Sequence, residues 1–296
     1  MASSTDERWI ERRTADGSST LAHAAHGETY HSTSGAWTQA RERYARECRL
    51  GERAREIASE GARERGRVLH LLDIGTGLGL NLAAALEAVE GTGVALAATT
   101  CELDEALLAH VVSSPRAPAD LEIRHAPVRA ALAAALASRT AESVALDGGG
   151  TLRLLLGDAR AMVAKLPLEP RFDAVFLDPF SQRVEPGLWE PEFLREVARR
   201  MAPGSILSTY SAATAVRAGL FASGLRIGRG ARVGGKREGT LAGPDRDLPP
   251  LDARVLRRIA ARAAASTVTP HIRPPVLPES ALGFASRAGD PRAAMS

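Results

Sequence analysis

The sequence predicts an α/β fold organised around a doubly wound, mainly parallel sheet. Three observations predict it. Short apolar runs alternate with helical patterns from Val68 onward, a glycine turn joins the first run to a helix, and several runs end in a carboxylate.

Residues 1–67 read as an amino-terminal extension. It holds the polar stretch ADGSSTLAHAAHGETYHSTSG and then a charged helical pattern from Trp37 to about Arg65. Arg and Glu alternate there so densely that most of that helix must face water. Residues 68–242 carry the alternation. VLHLLDIG is a short buried strand, LNLAAALEAV a helix, VALAATTCELD a second strand and EALLAHVV a helix. A helix near PVRAALAAALASR leads into SVALDGGGTLRLLLGD, where Asp147-Gly148-Gly149-Gly150 is a turn between two strands. Helix ARAMVAKL, strand FDAVFLD, helix EPEFLREVARRM, strand SILSTYS and helix AATAVRAGLFASG complete the series. Residues 243–296 are rich in Pro, Arg and Ala, and apart from the basic helical patch VLRRIAARAAA we expect a mobile tail.

The 296 residues are 45% hydrophobic but only 4% aromatic, so the core must be built mainly from Ala, Leu and Val. Cys48 and Cys101 match no metal or redox spacing and read as free thiols in a reducing cytosol, which gives the expectation of a cytoplasmic protein. The start MASSTDERWIERR lacks the apolar centre of a signal peptide, and no apolar run is long enough to span a bilayer. A formal net charge of +3 permits nucleic-acid binding without requiring it.

LHLLDIGTGLGLN puts Asp73 at the end of the first strand and Gly75, Gly77 and Gly79 in the turn into a helix. Such a turn lets a ligand approach the backbone and presents free N–H groups. A dinucleotide fingerprint needs its third glycine where Leu80 stands. The GxGxG spacing after an acid instead suits S-adenosylmethionine. Glu102 ends the second strand, where a carboxylate can accept both ribose hydroxyls, and Asp158 in LLLGDAR is placed to accept from the adenine amino group.

Asp178 ends FDAVFLD and should border the same crevice. An aliphatic amine is mostly protonated near neutral pH, and a carboxylate can take its proton and aim its lone pair. Pro179 fixes the chain and leaves its carbonyl as a second acceptor, while Phe180 is placed to stack on a flat ring. The competing reading is an Asp that only caps the following loop or helix.

With these residues in view, the chain resembles the bacterial methyltransferases that complete 5-methylaminomethyl-2-thiouridine at the tRNA wobble position, and in particular their free-standing form. The resemblance runs from about Ala15 to Ala242, through DGSSTL, GETYHSTSGAWTQAR, LLDIGTGLGLN, GDAR, FLDPFSQRVEPGLW, STYSAATAVRAGLFASGL and GGKREGTLAG. It implies a class I S-adenosylmethionine-dependent methyltransferase fold with a seven-stranded sheet whose last strand is antiparallel. It implies methylation of an aminomethyl nitrogen, with Asp178 as the base or amine-orienting group and Asn81 among the cofactor-binding residues. Tyr30 and Ser32 would fold over the cofactor and substrate, and Lys236, Arg237 and Glu238 would lie at the substrate mouth. The sequence departs from the family at Gln39, where an acid is common, at Pro179, where bifunctional members have glycine, and at Gly239, where methionine is common. The FAD-dependent half of the bifunctional enzymes has no counterpart, so no FAD is expected and the aminomethyl substrate must be made elsewhere.

Smaller signals are more ambiguous. Arg226, Arg229, Arg232, Lys236 and Arg237 form a basic run suited to an anticodon stem, or an exposed cationic hairpin. Arg254, Arg257, Arg258 and Arg262 fit a solvated helix better than an RNA contact. Trp189 either packs the helix after the active-site loop or lines the nucleoside pocket. His31 alone of the histidines adjoins a motif, and no metal is expected. The expectation is therefore N-methylation of 5-aminomethyl(-2-thio)uridine in tRNA, with no protein partner and no membrane. The alternatives are an amine on a small metabolite or protein, and a non-catalytic RNA-binding relative of the fold.

Overall fold

The computed structural model describes residues 8–59, 67–113, 119–147, 149–234 and 238–265, with only the backbone described at residues 119–121. The predicted alternation is present. An eight-stranded sheet has the order β5-β6-β4-β3-β7-β8-β10-β9. Here β3 is Val68–Ile74, β4 Ala95–Glu102, β5 Ser143–Leu146, β6 Gly150–Leu156, β7 Phe172–Leu177, β8 Met201–Thr209, β9 Arg226–Arg229 and β10 Thr240–Gly243. The five central strands are parallel, while β5, β10 and β9 each run antiparallel to the neighbour through which they join. The count is one above the expected seven, and antiparallel pairing occurs at both edges.

Helices α3 (Leu80–Val89), α4 (Glu105–Ser113), α5 (Ala119–Ser138), α6 (Ala159–Lys165), α7 (Pro191–Ala198) and α8 (Thr214–Ala222) connect the strands. Two buried clusters lie on opposite faces of the sheet. One is Leu- and Ala-rich against α3 to α5, and the other holds Val175, Leu177, Phe193 and Leu220 against α6 to α8. All six side chains of β7 are buried, which explains its unbroken apolar run. Its one acid, Asp173, is satisfied inside by the Arg53 guanidinium at 2.9 Å and the His70 amide at 3.0 Å.

The polar amino-terminal stretch is more ordered than its composition suggests. It forms a hairpin of β1 (Trp9–Arg13) and β2 (Ser19–His23), with Trp9 and Leu21 buried in the main core. The long helix expected from Trp37 is divided. A short α1 (Ala36–Thr38) runs into a wide π-helical segment, Gln39–Arg46, and Arg49 adopts a left-handed φ of 53° before α2 (Leu50–Ser59) begins. Only a few of its positions are solvated throughout, since Ala40, Tyr44, Leu50 and Ala54 are fully buried. The far end of that expected helix, residues 60–66, lies outside the described residues. Beyond the sheet, the basic patch forms α9 (Ala253–Ala264), which packs Ile259 against Ala218 and Phe221 of α8. The tail beyond residue 265 is outside the described residues.

After β3 the chain moves through β4 to β6, then crosses back to β7 on the other side of β3. This reversal opens a crevice above the carboxyl ends of β3, β4 and β7, where open α/β sheets bind ligands.

Candidate active site

The glycine loop is held from behind. Gly75 and Thr76 amides both donate to the Cys101 carbonyl at 3.1 Å. The Thr76 hydroxyl bonds that of Thr100 at 2.6 Å, and Thr100 donates onward to Asp73 at 2.8 Å. Asp73 is fully buried, and burial pushes its carboxyl well above the usual carboxylate range. It anchors the loop from inside and is not among the residues that line the crevice, while its Oδ1 is buried with no hydrogen-bond partner among the described residues.

The three glycines divide the work. Gly75, at φ 92°, passes so close to the β7 loop that a Cβ there would stand 2.6 Å from the Asp178 carbonyl oxygen. Gly77, at φ 51°, faces the crevice beneath Tyr30. Gly79, at φ 74°, precedes α3 and faces Val128 and Leu132 of α5, so it serves helix packing and is not among the residues lining the crevice.

Asp178 lines a cavity of about 390 Å³ with Gly75, Gly77, Glu102, Pro179, Phe180, Tyr30, His31, Glu28, Glu185 and Tyr210 among its walls. The Asn81 amide donates to Asp178 Oδ2 at 2.9 Å, so Asn81 positions the carboxylate. The phenol of buried Tyr44 is held well above its ordinary pKa by burial and by the adjacent Asp178 anion. Asp178 caps no helix, and its carboxylate faces the crevice.

Glu102 stands between this cavity and a second of about 270 Å³ that holds Asp158, Arg160 and Leu188, and both cavities share Gly75, Glu102, Pro179 and Glu185. Glu102 accepts from Gly77 at 2.9 Å, Leu103 at 2.9 Å and Asp104 at 3.0 Å. A carboxylate has about four lone-pair sites, so room remains for a hydroxyl donor. Burial raises its pKa to about 7 despite those three bonds. Asp158 is the residue that caps a helix. It accepts from the Arg160 amide at the start of α6 and from the Arg160 side chain at 2.7 Å, so a ligand amino group must compete with that pair.

The remaining expectations divide. Phe180 sits at the rim, with its ring 4.8 Å from Tyr30 and 5.3 Å from His26. The Pro179 carbonyl already accepts from the Tyr210 hydroxyl at 3.0 Å. Trp189 is buried in the core and donates to the Phe180 carbonyl at 2.9 Å, so it supports the rim without lining the cavity. Ser32 is buried and hydrogen-bonds Ser34 at 2.6 Å, which makes it a turn residue. Glu238 pairs with Arg217 at 3.1 Å and lines neither cavity. Lys236 and Arg237 lie outside the described residues. No cluster of His, Cys, Asp or Glu with metal-binding geometry occurs among the described residues.

Sequence reasoning missed Glu28, Glu185 and Tyr210. Glu28 reaches from the amino-terminal hairpin to the Asp-Pro-Phe-Ser loop, taking the Ser181 hydroxyl at 2.6 Å and Arg183 at 2.9 Å. Glu185 accepts from the Phe180 amide at 2.8 Å, and burial raises its pKa. Both carboxylates lie within the motifs GETYHSTSGAWTQAR and FLDPFSQRVEPGLW, but only their partners reveal what they hold.

These residues suit S-adenosylmethionine. Asn81 Oδ1 is buried with no hydrogen-bond partner among the described residues, Glu102 has acceptor capacity to spare, and the Gly75 and Gly77 backbone is open to a close approach. The cavity walls carry four carboxylates, Glu28, Glu102, Asp178 and Glu185, which favours a cationic ligand.

Comparison with known proteins agrees. A family profile described as S-adenosyl-L-methionine-dependent methyltransferase matches residues 122–244. The tRNA 5-methylaminomethyl-2-thiouridine biosynthesis bifunctional protein MnmC of Methylibium petroleiphilum is 33% identical over 223 residues, covering 73% of this chain and 32% of that protein. The MnmC protein of Pseudomonas aeruginosa PAO1 is 33% identical over 232 residues, covering 74% of this chain and 33% of its own length. The chain thus matches about a third of the length of these curated relatives. The crystal structure of MNMC2 from Aquifex aeolicus superposes with a TM-score of 0.69 at 29% identity, covering 85% of this chain and 75% of the other. The fold, the glycine loop and these relatives together place the chain in the MnmC family of S-adenosylmethionine-dependent methyltransferases.

Proposed function

We propose that this methyltransferase acts on an amine, the 5-aminomethyl group of a tRNA wobble uridine with or without 2-thiolation, and that Asp178 prepares the nitrogen. The single observation that carries this reading is the Asp178 carboxylate, exposed to the crevice and fixed by Asn81 at 2.9 Å beside the glycine loop. S-adenosylmethionine, when bound, supplies an electrophilic methyl carbon on a sulfonium. Asp178 accepts the ammonium proton of the substrate, releases it to solvent, and as the anion holds the freed lone pair toward that carbon; the methylated nitrogen then leaves as the ammonium ion or sheds its proton to the regenerated carboxylate. Asn81 keeps the carboxylate from rotating away. Asn81 and the Gly77 backbone would hold the amino-acid end of the cofactor, and Glu102 its ribose. Tyr30, His26 and Phe180 offer ring faces to a base at the cavity rim. The MnmC relatives named for 5-methylaminomethyl-2-thiouridine biosynthesis support the choice of acceptor.

Purified protein with S-adenosylmethionine should methylate tRNA that carries 5-aminomethyluridine. Nucleoside mass spectrometry would read one added methyl on that residue. Methyl incorporation into a metabolite or protein extract but not into such tRNA would contradict the proposed acceptor. Calorimetry with S-adenosylmethionine separates both from a non-catalytic RNA-binding protein.

A further inference from the structure

The helix α9 begins after residue 244, where the methyltransferase profile ends, and it contains no acid along its twelve residues. Arg254, Arg258 and Arg262 are exposed and form no ion pair with a described acid. They recur every four residues, a rise of about 6 Å each, which sets them in one ridge along the helix. That spacing matches successive phosphates of a nucleic-acid strand.

The position of the ridge relates it to the crevice. Thr240 of β10 pairs with both Thr209 of β8 and Arg229 of β9, so Arg229 stands level with the strand end that leads to Tyr210 of the cavity wall. The Arg229 amide donates to the Pro249 carbonyl at 2.8 Å, three residues before Asp252 caps α9. The start of α9 therefore lies on the crevice side of the sheet edge. From β7, which bears Asp178, to β9 is three strand spacings, about 14 Å. Arg229 and Arg232, both exposed, extend the positive surface from the helix toward the crevice.

A basic amphipathic helix can also lie on an anionic membrane, but that requires a free apolar face. The apolar face of α9 is already occupied, since Ile259 is fully buried against Ala218 and Phe221. The exposed positions of the helix are arginines and small alanines, with no large apolar side chain among them.

We propose that the Arg254–Arg258–Arg262 ridge, continued by Arg229 and Arg232, is a docking surface for the phosphate backbone of a structured RNA whose modified base enters the crevice. This rests on the tRNA reading above and adds where the body of the RNA is held. Contacts of this kind fix register and affinity without reading sequence.

The test is tRNA binding by fluorescence anisotropy across a salt series, with the triple variant Arg254→Glu, Arg258→Glu, Arg262→Glu. A second triple variant to Gln guards against misfolding, and S-adenosylmethionine calorimetry serves as the folding control. Three lost phosphate contacts should lower the slope of log affinity against log salt by about two to three, and weaken binding at least about tenfold near physiological salt. The Gln variant should show a smaller change in the same direction, and cofactor affinity should stay unchanged in both. Unaltered tRNA affinity and slope in both variants would overturn the proposal, as would loss of binding to vesicles containing phosphatidylserine with tRNA binding intact. Because binding is read without turnover, wild-type protein that binds tRNA through the ridge but does not methylate it would refute the function reading alone.

Discussion

Asp178 and Asn81 form the smallest unit on which the chemistry depends. A carboxylate bordering a crevice can rotate, and the Asn81 amide at 2.9 Å restrains it, with the Tyr44 phenol adjacent. Replacing Asn81 with Ala should lower kcat about tenfold or more while Asp178 remains ionisable, and steady-state kinetics with the wild-type pH profile as reference would check it. Glu102 makes a second prediction. Burial holds its pKa near 7 in the free protein, whereas ribose hydroxyls bind its ionised form. Cofactor binding must then release a proton when the pH lies below that value. Affinity for S-adenosylmethionine should fall about tenfold as pH is lowered from about 8 to about 6, and Glu102→Gln should bind weakly with little dependence on pH. Calorimetry in buffers of different ionisation enthalpy reads both the affinity and the proton. The sign is opposite for folding. Because the folded pKa is raised, Glu102 contributes stability below its unfolded pKa, and that contribution is lost as pH rises through about 7.

Among the elements, the β3 loop and the β7 loop support each other. The Asp178 amide donates to the Ile74 carbonyl at 2.9 Å, and Gly75 leaves space for the backbone at Asp178 and Pro179. Gly75→Ala introduces both a positive-φ penalty and a contact 2.6 Å from the Asp178 carbonyl oxygen. It should cost about 1–3 kcal/mol in denaturant unfolding and reduce turnover further by displacing Asp178. Beyond its buried Trp9 and Leu21, the amino-terminal segment is clasped to the β7 loop by Glu28, which holds Ser181 and Arg183. Glu28→Ala should speed hydrogen exchange in residues 19–31 and raise KM, with global stability changed by no more than about 1 kcal/mol.

At this scale the sequence was legible wherever one local rule decided the outcome. The alternating runs named every strand from β3 to β8, because a fully buried strand and a following glycine turn leave few readings. The hairpin at β1 and β2 was hidden, since five-residue strands with polar neighbours look like a loop until Trp9 and Leu21 find the core. The break at Arg49 was hidden too, because the left-handed residue is an arginine and the nearby Gly51 lies inside the helix that follows.

Over the whole molecule, the sequence identified strand-end acids that converge on one crevice but not how they share the work. Glu102 and Asp178 face the cavity, whereas Asp73 turns inward to Thr100 and Asp158 caps α6. All four end strands, and only tertiary hydrogen bonds distinguish a ligand acceptor from a loop anchor. Trp189 shows the same limit, since its indole reaches a backbone carbonyl and not the cavity. No helix among the described residues is long and apolar enough to cross a membrane. The two faces of the sheet carry separate buried clusters, and the crevice is framed by strand ends and lined on one side by the amino-terminal segment that bears Glu28 and Tyr30.

The most direct measurement of the central claim is single-turnover methyl transfer to tRNA bearing 5-aminomethyluridine by Asp178→Asn, alongside its S-adenosylmethionine affinity. The rate should fall about 10²–10⁴-fold while cofactor affinity stays within about threefold of the wild type. A variant that transfers methyl at the wild-type rate would contradict the role given to Asp178.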